Sequence, residues 1–136
     1  MRNSISILIL LFSFLFCLST KAKDWTKITK GQNGHIFFVD MKNLNESKGY
    51  IYFWQLINYN EQDEYGDMSA KIYVKAECEI FKFKWVKVSY HKMLMGKDYV
   101  KPDSPSKLVA GWQFPSLGST SYVVLNHVCK NKGLLL

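Results

Sequence analysis

Apolar and polar side chains alternate along most of this chain between Asp24 and Tyr90. The clearest run is Met68–Ile80. Ala70, Ile72, Val74, Ala76, Cys78 and Ile80 fall on one face, and Lys71, Tyr73, Lys75, Glu77 and Glu79 on the other. Small and branched residues on one side with charges opposite predict an antiparallel strand covered on a single face. The phase then slips by one residue near Ile80–Phe81 and again near Trp85–Val86, so a bend or bulge is expected at each place. Gly49–Tyr59 is aromatic and β-branched and reads as a central strand. Asp24–Thr29 and His35–Asp40 read as shorter strands around turn residues Lys30–Gly34. Asn43–Gly49 reads as a polar loop and Asn60–Asp67 as a charged turn. Lys101–Ser106 is expected to be the least ordered stretch, and Leu108–Phe114 to hold a short last strand around Trp112.

The period changes in one place. In Thr120–Lys130 the residues Tyr122, Leu125, Val128 and Cys129 recur at helical spacing and make one narrow apolar face. Ser119 is placed to cap the first turn. Lys130 and Lys132 suit the negative end of the dipole, and Gly133 is a stop signal. A helix with one apolar face must lie on a sheet. The fold class is therefore α+β, mostly β, with an antiparallel sheet packed on one C-terminal helix.

Cysteine usage sharpens this picture. Met1–Arg2–Asn3 is positive and Ile5–Leu18 is apolar apart from two serines, as in a secretory signal. Thr20-Lys21-Ala22 places cleavage after Ala22, which divides the chain into a signal peptide, 1–22, and one exported domain, 23–136. An uncleaved anchor is the alternative, but the run is shorter than the ~20 residues that cross a bilayer. Phe16 before Cys17 argues against lipid attachment. Without the signal, Cys78 and Cys129 remain, an even pair in an oxidising compartment. Cys78 falls on the covered face of its strand and Cys129 on the apolar face of the helix, so a disulfide is expected. Two free buried thiols are the alternative.

Removing Arg2 and Lys21 leaves 16 basic residues against 11 acidic, a net charge of +5, and no arginine. The missing guanidinium fork weighs against phosphate and nucleic-acid recognition. The bland reading of the lysines is that they solvate strand faces.

Several short motifs then carry a resemblance, through their order and spacing. They are Asp24-Trp25, the strand ending in Asp40, Ser69 ahead of Glu77-Cys78, Tyr90 through Met95-Gly96, Trp112 with Pro115–Ser119, and Leu125 through Val128-Cys129. Over most of residues 24–131 the chain resembles the bacterial surface-adhesin protein E family. The resemblance implies a small antiparallel sheet of about six strands curling around a C-terminal helix pinned by a disulfide. It implies binding to host extracellular-matrix proteins from an outer-membrane lipoprotein, with no catalytic residues and no cofactor. The chain departs from the family pattern at Phe16 and at Ser116-Leu117-Gly118.

A search of the residues for chemistry points the same way. His35, His91 and His127 lie in separate elements, so no metal site is expected. Glu61, Asp63, Glu64 and Asp67 lack the ligand series of a calcium loop. No nucleophile motif or phosphate-cradling loop is present, so the chain is read as no enzyme. Asn45-Glu46-Ser47 matches a glycosylation sequon, a pattern common by chance.

The remaining lead is aromatic. Tyr50, Tyr52, Trp54, Tyr73 and Tyr90 are expected on the uncovered sheet face, interleaved with Lys71, Lys75, Lys82, Lys84 and Lys87. Such a face suits a protein partner or, by stacking, a polyanion. Partial burial of both faces by loops or a second copy is the bland alternative. The working surface is placed at Lys71, Tyr73 and Lys75, with a protein partner on the envelope or in the matrix. The location is periplasmic or extracellular, and a homodimer is left open. A small secreted hydrolase or small-ligand binder with an unrecognised site is the competing class.

Overall fold

The computed structural model describes residues 23–132. The expected signal, Gly133 and the leucine tail lie outside them.

Six strands form one antiparallel sheet. They are β1 (Trp25–Lys30), β2 (Ile36–Asp40), β3 (Asn45–Ser47), β4 (Tyr50–Asn58), β5 (Ser69–Glu77) and β6 (Lys82–His91). The order across the sheet is β1-β2-β4-β5-β6, and β3 pairs with β4 beyond the end of β2. A single helix, α1 (Thr120–Asn131), follows.

β3 corrects the expected loop over 43–49. All three of its residues are exposed, so no apolar alternation marks it. Its hairpin to β4 turns on Lys48 and Gly49, at φ 52° and 79°. Two positive φ angles give the turn whose twist matches paired strands. The expected last strand over 108–114 is also corrected. Only one bridge forms there, Phe83 with Gln113, and a second joins Val88 to Asp103.

The two phase slips have different causes. At the first, strand β5 ends at Glu77 and the chain reverses over Cys78–Phe81 to pair Glu77 with Lys82. Ile80, expected on the covered face, is therefore 55% exposed in that turn. At the second, Tyr73 pairs Lys87 and Val74 pairs Trp85, so Val86 is a bulge as expected.

The core lies between the inner sheet face and α1. Ile51, Phe53, Ile72, Val74 and Ala76 meet Val124, Leu125 and Val128 there. Each fully buried large apolar side chain contributes about 1.5–3 kcal/mol. Val124 belongs to the helix face although the sequence reading left it out. The Ser119 hydroxyl accepts the Tyr122 N–H at 3.1 Å, the expected cap. Cys78 and Cys129 are bonded, with Cα atoms 5.6 Å apart. Among the described residues no helix is long and apolar enough to cross a membrane.

Candidate functional site

The outer face of the sheet is divided into two ends. Strand pairing aligns Tyr52 with Lys75, Trp54 with Tyr73, Leu56 with Lys71 and Asn58 with Ser69 across β4 and β5. On β6 the same face carries Lys84, Lys87, Ser89 and His91. The expected aromatic–lysine face therefore exists, except that Tyr90 is not part of it. The Val86 bulge turns Tyr90 into register with Ala70, on the inner row.

One end is covered. The segment after β6 folds back as a strap and is held by polar side chains that alternation alone would leave in water. The Ser69 hydroxyl donates to the Met93 carbonyl at 2.6 Å and accepts the Gly96 N–H at 3.0 Å. The Asn58 side chain accepts the Met95 N–H at 2.8 Å. The Lys71 ammonium donates to the Gly96 carbonyl at 2.7 Å. Lys71, placed at the centre of the working surface by sequence, is thus occupied in anchoring the strap. Gly96 sits at φ +54°, where a side chain is strained, and a Cβ there would push the end of the Lys71 side chain off its carbonyl partner.

Under the strap lie Ser89 and His91, 3% and 1% exposed. His91 Nδ1 is 2.8 Å from the Asp98 carbonyl oxygen, which can only accept, so Nδ1 carries the proton. In the neutral ring, Nε2 then accepts from the Ser89 hydroxyl at 2.8 Å. Burial pushes the Asp98 carboxyl upward. Backbone N–H groups of Lys92, Asp98 itself and Met93 outweigh it, with a smaller contribution from the neighbouring His91, and hold the carboxyl below its usual value.

The other end is open and aromatic. Tyr73 lies between Trp54 and Tyr52, with ring centroids 5.0 and 6.0 Å away. Burial, helped by Tyr52, raises the Tyr73 phenol above its ordinary pKa, so it stays neutral. The Lys75 ammonium sits 3.8 Å from the Tyr50 ring centre, and Tyr50 stacks on Trp112 at 6.0 Å. Lys82 and Lys84 reach the Trp112 ring at 4.5 and 5.0 Å. Lys75 and Lys84 are directly opposed across β5 and β6. The nearby acid Glu77 is paired with Lys82 at 3.0 Å. At the border of the two ends, Lys23 lies 3.4 Å over Trp54. Burial, then Lys71, lowers its pKa to about 8 against the pull of Asp40.

The sequence marks Trp112 as a strand position and as part of a family motif, and not as a residue of this face. Its place here depends on the distant bridge that carries residue 113 to β6, which no local pattern signals. No group of three or more metal-ligating side chains occurs among the described residues. His35 accepts the Asn60 N–H, His91 is buried, and His127 is exposed on α1.

A family model described as surface-adhesin protein E matches residues 25–130. The chain belongs to that family. Two crystal structures of Haemophilus influenzae protein E share its fold. Crystal form II has a TM-score of 0.60 at 15% identity, over 82% of this chain and 94% of that one. A second structure gives 0.59 at 15% identity, over 83% and 92%. No curated protein matches in sequence. At this identity the likeness establishes the fold of the surface-adhesin protein E family and leaves the working surface to be argued from these residues.

Proposed function

We propose that this member of the family is an exported, non-enzymatic adhesin module. It holds an acidic segment of a protein partner, at the bacterial envelope or in the extracellular matrix, on the open end of the outer sheet face. The observation that carries this reading is the Lys75–Lys84 pair. Like charges directly opposed in a sheet are destabilising. Local choices that work against the fold are expected at functional sites. An aromatic floor of Tyr50, Tyr52, Tyr73 and Trp112 completes a surface suited to carboxylates and flat side chains, and the nearby Lys82 is neutralised by Glu77. Tyr73 and Lys75 form its centre, and Lys71 holds the strap beside it. A second copy is the poorer occupant, since it would set lysines against lysines.

Replacing Lys75 with Glu should abolish capture of an envelope or matrix protein while the fold persists. Unchanged capture at physiological salt would remove this face. The family description supports a cell-surface location. Export with a mature start at Lys23 is part of the proposal. Mass spectrometry of the native protein tests it, and a retained Met1 or lipidated Cys17 overturns it.

The competing hydrolase reading has one observation in its favour, the Ser89–His91–Asp98 chain, which has the order of a nucleophile, base and orienting group. Its buried position suits an anchor for the strap better. Labelling of Ser89 by a fluorophosphonate in the folded protein would favour the hydrolase.

A further inference from the structure

We propose that the gap between the inner sheet face and the first turn of α1 binds a small neutral aromatic molecule bearing one hydrogen-bonding group, of about cresol size. The gap has a volume of about 200 Å³, and its walls include Phe37, Phe53, Phe83, Trp85 and Leu125. Protein interiors are close-packed, and voids larger than a water molecule are few. The gap is a crevice partly open to water and not a sealed void, yet it leaves Phe37, Trp85 and Ile57 only half-buried, and the sequence had simple means to fill it.

Gln55 makes the point. The inner row of β4 reads Ile51, Phe53, Gln55, Ile57. Gln55 is flanked across the sheet by Val39 and Ile72, both fully buried. An aliphatic residue would continue the row. Gln55 is only partly buried, so its carboxamide faces the crevice with hydrogen-bonding capacity to offer a ligand in place of water. Gln113 brings a second carboxamide to the same wall, carried there by the bridge to Phe83 and fixed by its donation to the Val109 carbonyl at 3.1 Å. The cavity has a way in. Phe37 and Thr120 also line an adjoining groove formed by Gly31–Asn33 and Gly118–Ser119.

The walls define the ligand. An apolar cavity of roughly 150 Å³ takes benzene, so about 200 Å³ leaves room for a ring with one or two further atoms. Aromatic walls favour an aromatic ring through edge-to-face contacts. No charged side chain lines the cavity, so a carboxylate would be buried without a counter-charge and a neutral hydroxyl fits better. This site is independent of the outer face.

The test is a methyl-resolved NMR titration of the oxidised protein with p-cresol and with toluene. p-Cresol should saturate, shift the methyls of Val74, Val124 and Leu125, and bind about fivefold tighter than toluene, the effect of one net hydrogen bond. Gln55→Leu should bring the ratio to about one while toluene still binds. Gln55→Met, close to glutamine in volume, serves if the leucine variant does not fold. Equal binding of the two ligands by the unaltered protein would overturn the proposal. So would shifts confined to residues outside the cavity, or a failure to saturate.

Discussion

The two faces of the sheet are covered by different devices. The inner face is closed by α1, through non-directional packing of Val124, Leu125 and Val128 and a covalent bond at Cys129. The outer face is half closed by a strap held mainly by directional bonds from Asn58, Ser69, Lys71 and His91. Packing against a core is cooperative, and removing the helix removes the core. Hydrogen bonds at about 0.5–1.5 kcal/mol each are separable. The fold therefore has one cover it cannot lose and one it can lose locally, next to the surface proposed to bind.

Breaking the disulfide tests the first half of this contrast and should have the largest effect. Closing a loop with a sequence separation of 51 stabilises by about 4 kcal/mol in the chain-entropy model. Cys129→Ser should lower the unfolding midpoint sharply, and reductant should do the same to the parent protein. Coincident midpoints with and without reductant would mean that packing alone holds α1.

Ser69→Ala tests the second half. Its hydroxyl serves two backbone groups of the strap, and removing it leaves both unpaired at a cost of about 1–3 kcal/mol. The loss should be local. Amide exchange at Met95 and Gly96 should accelerate while α1 keeps its protection. Equal acceleration in both would show that strap and helix open as one unit.

The inner face was legible in the sequence because one physical rule governs it. Apolar alternation gave β4, β5 and β6, and helical spacing gave α1. Facing cysteines gave the bond that joins them. β3 was missed because an exposed edge strand needs no apolar row. The outer face was half legible. Tyr73 and Lys75 are displayed as alternation requires. Lys71 has the same period, but a strap some 25 residues away reaches over to its ammonium. Tyr90 belongs to the inner row because the expected slip at Val86 reverses the alternation beyond it, a consequence that its placement with the outer tyrosines left out. The polar anchors Asn58, Ser69 and His91 carry no local signal, since a residue meant for water and one meant for a strap look alike.

Lys75→Glu sharpens the comparison with a smaller effect on stability. It replaces a Lys–Lys cross-strand pair by Glu–Lys, so the fold should gain roughly 0.5 kcal/mol. Capture of an acidic partner should be lost at the same time. A variant that folds better and binds worse would separate function from stability. A destabilised variant would instead mean that the lysines over Tyr50 and Trp112 serve the fold through their rings.

The smallest effect expected is acid loosening of the strap through Asp98. Its carboxylate accepts the N–H groups of Lys92 and Met93 at 3.0 and 3.1 Å, and its folded pKa lies below the ordinary 3.8. A depressed carboxylate pKa contributes stability that is fully present above the unfolded value and lost as pH falls through the folded one. The contribution should therefore persist down to about pH 3.8 and fade below it, in the strap before α1. The carboxyl is about a quarter exposed to solvent, so the change should be small and salt-sensitive. Amide exchange at Lys92 and Met93 follows it directly. In Asp98→Asn these amides should exchange faster at neutral pH and no longer respond to acid. An identical acid response in parent and variant would mean that the carboxylate does not hold this end of the strap.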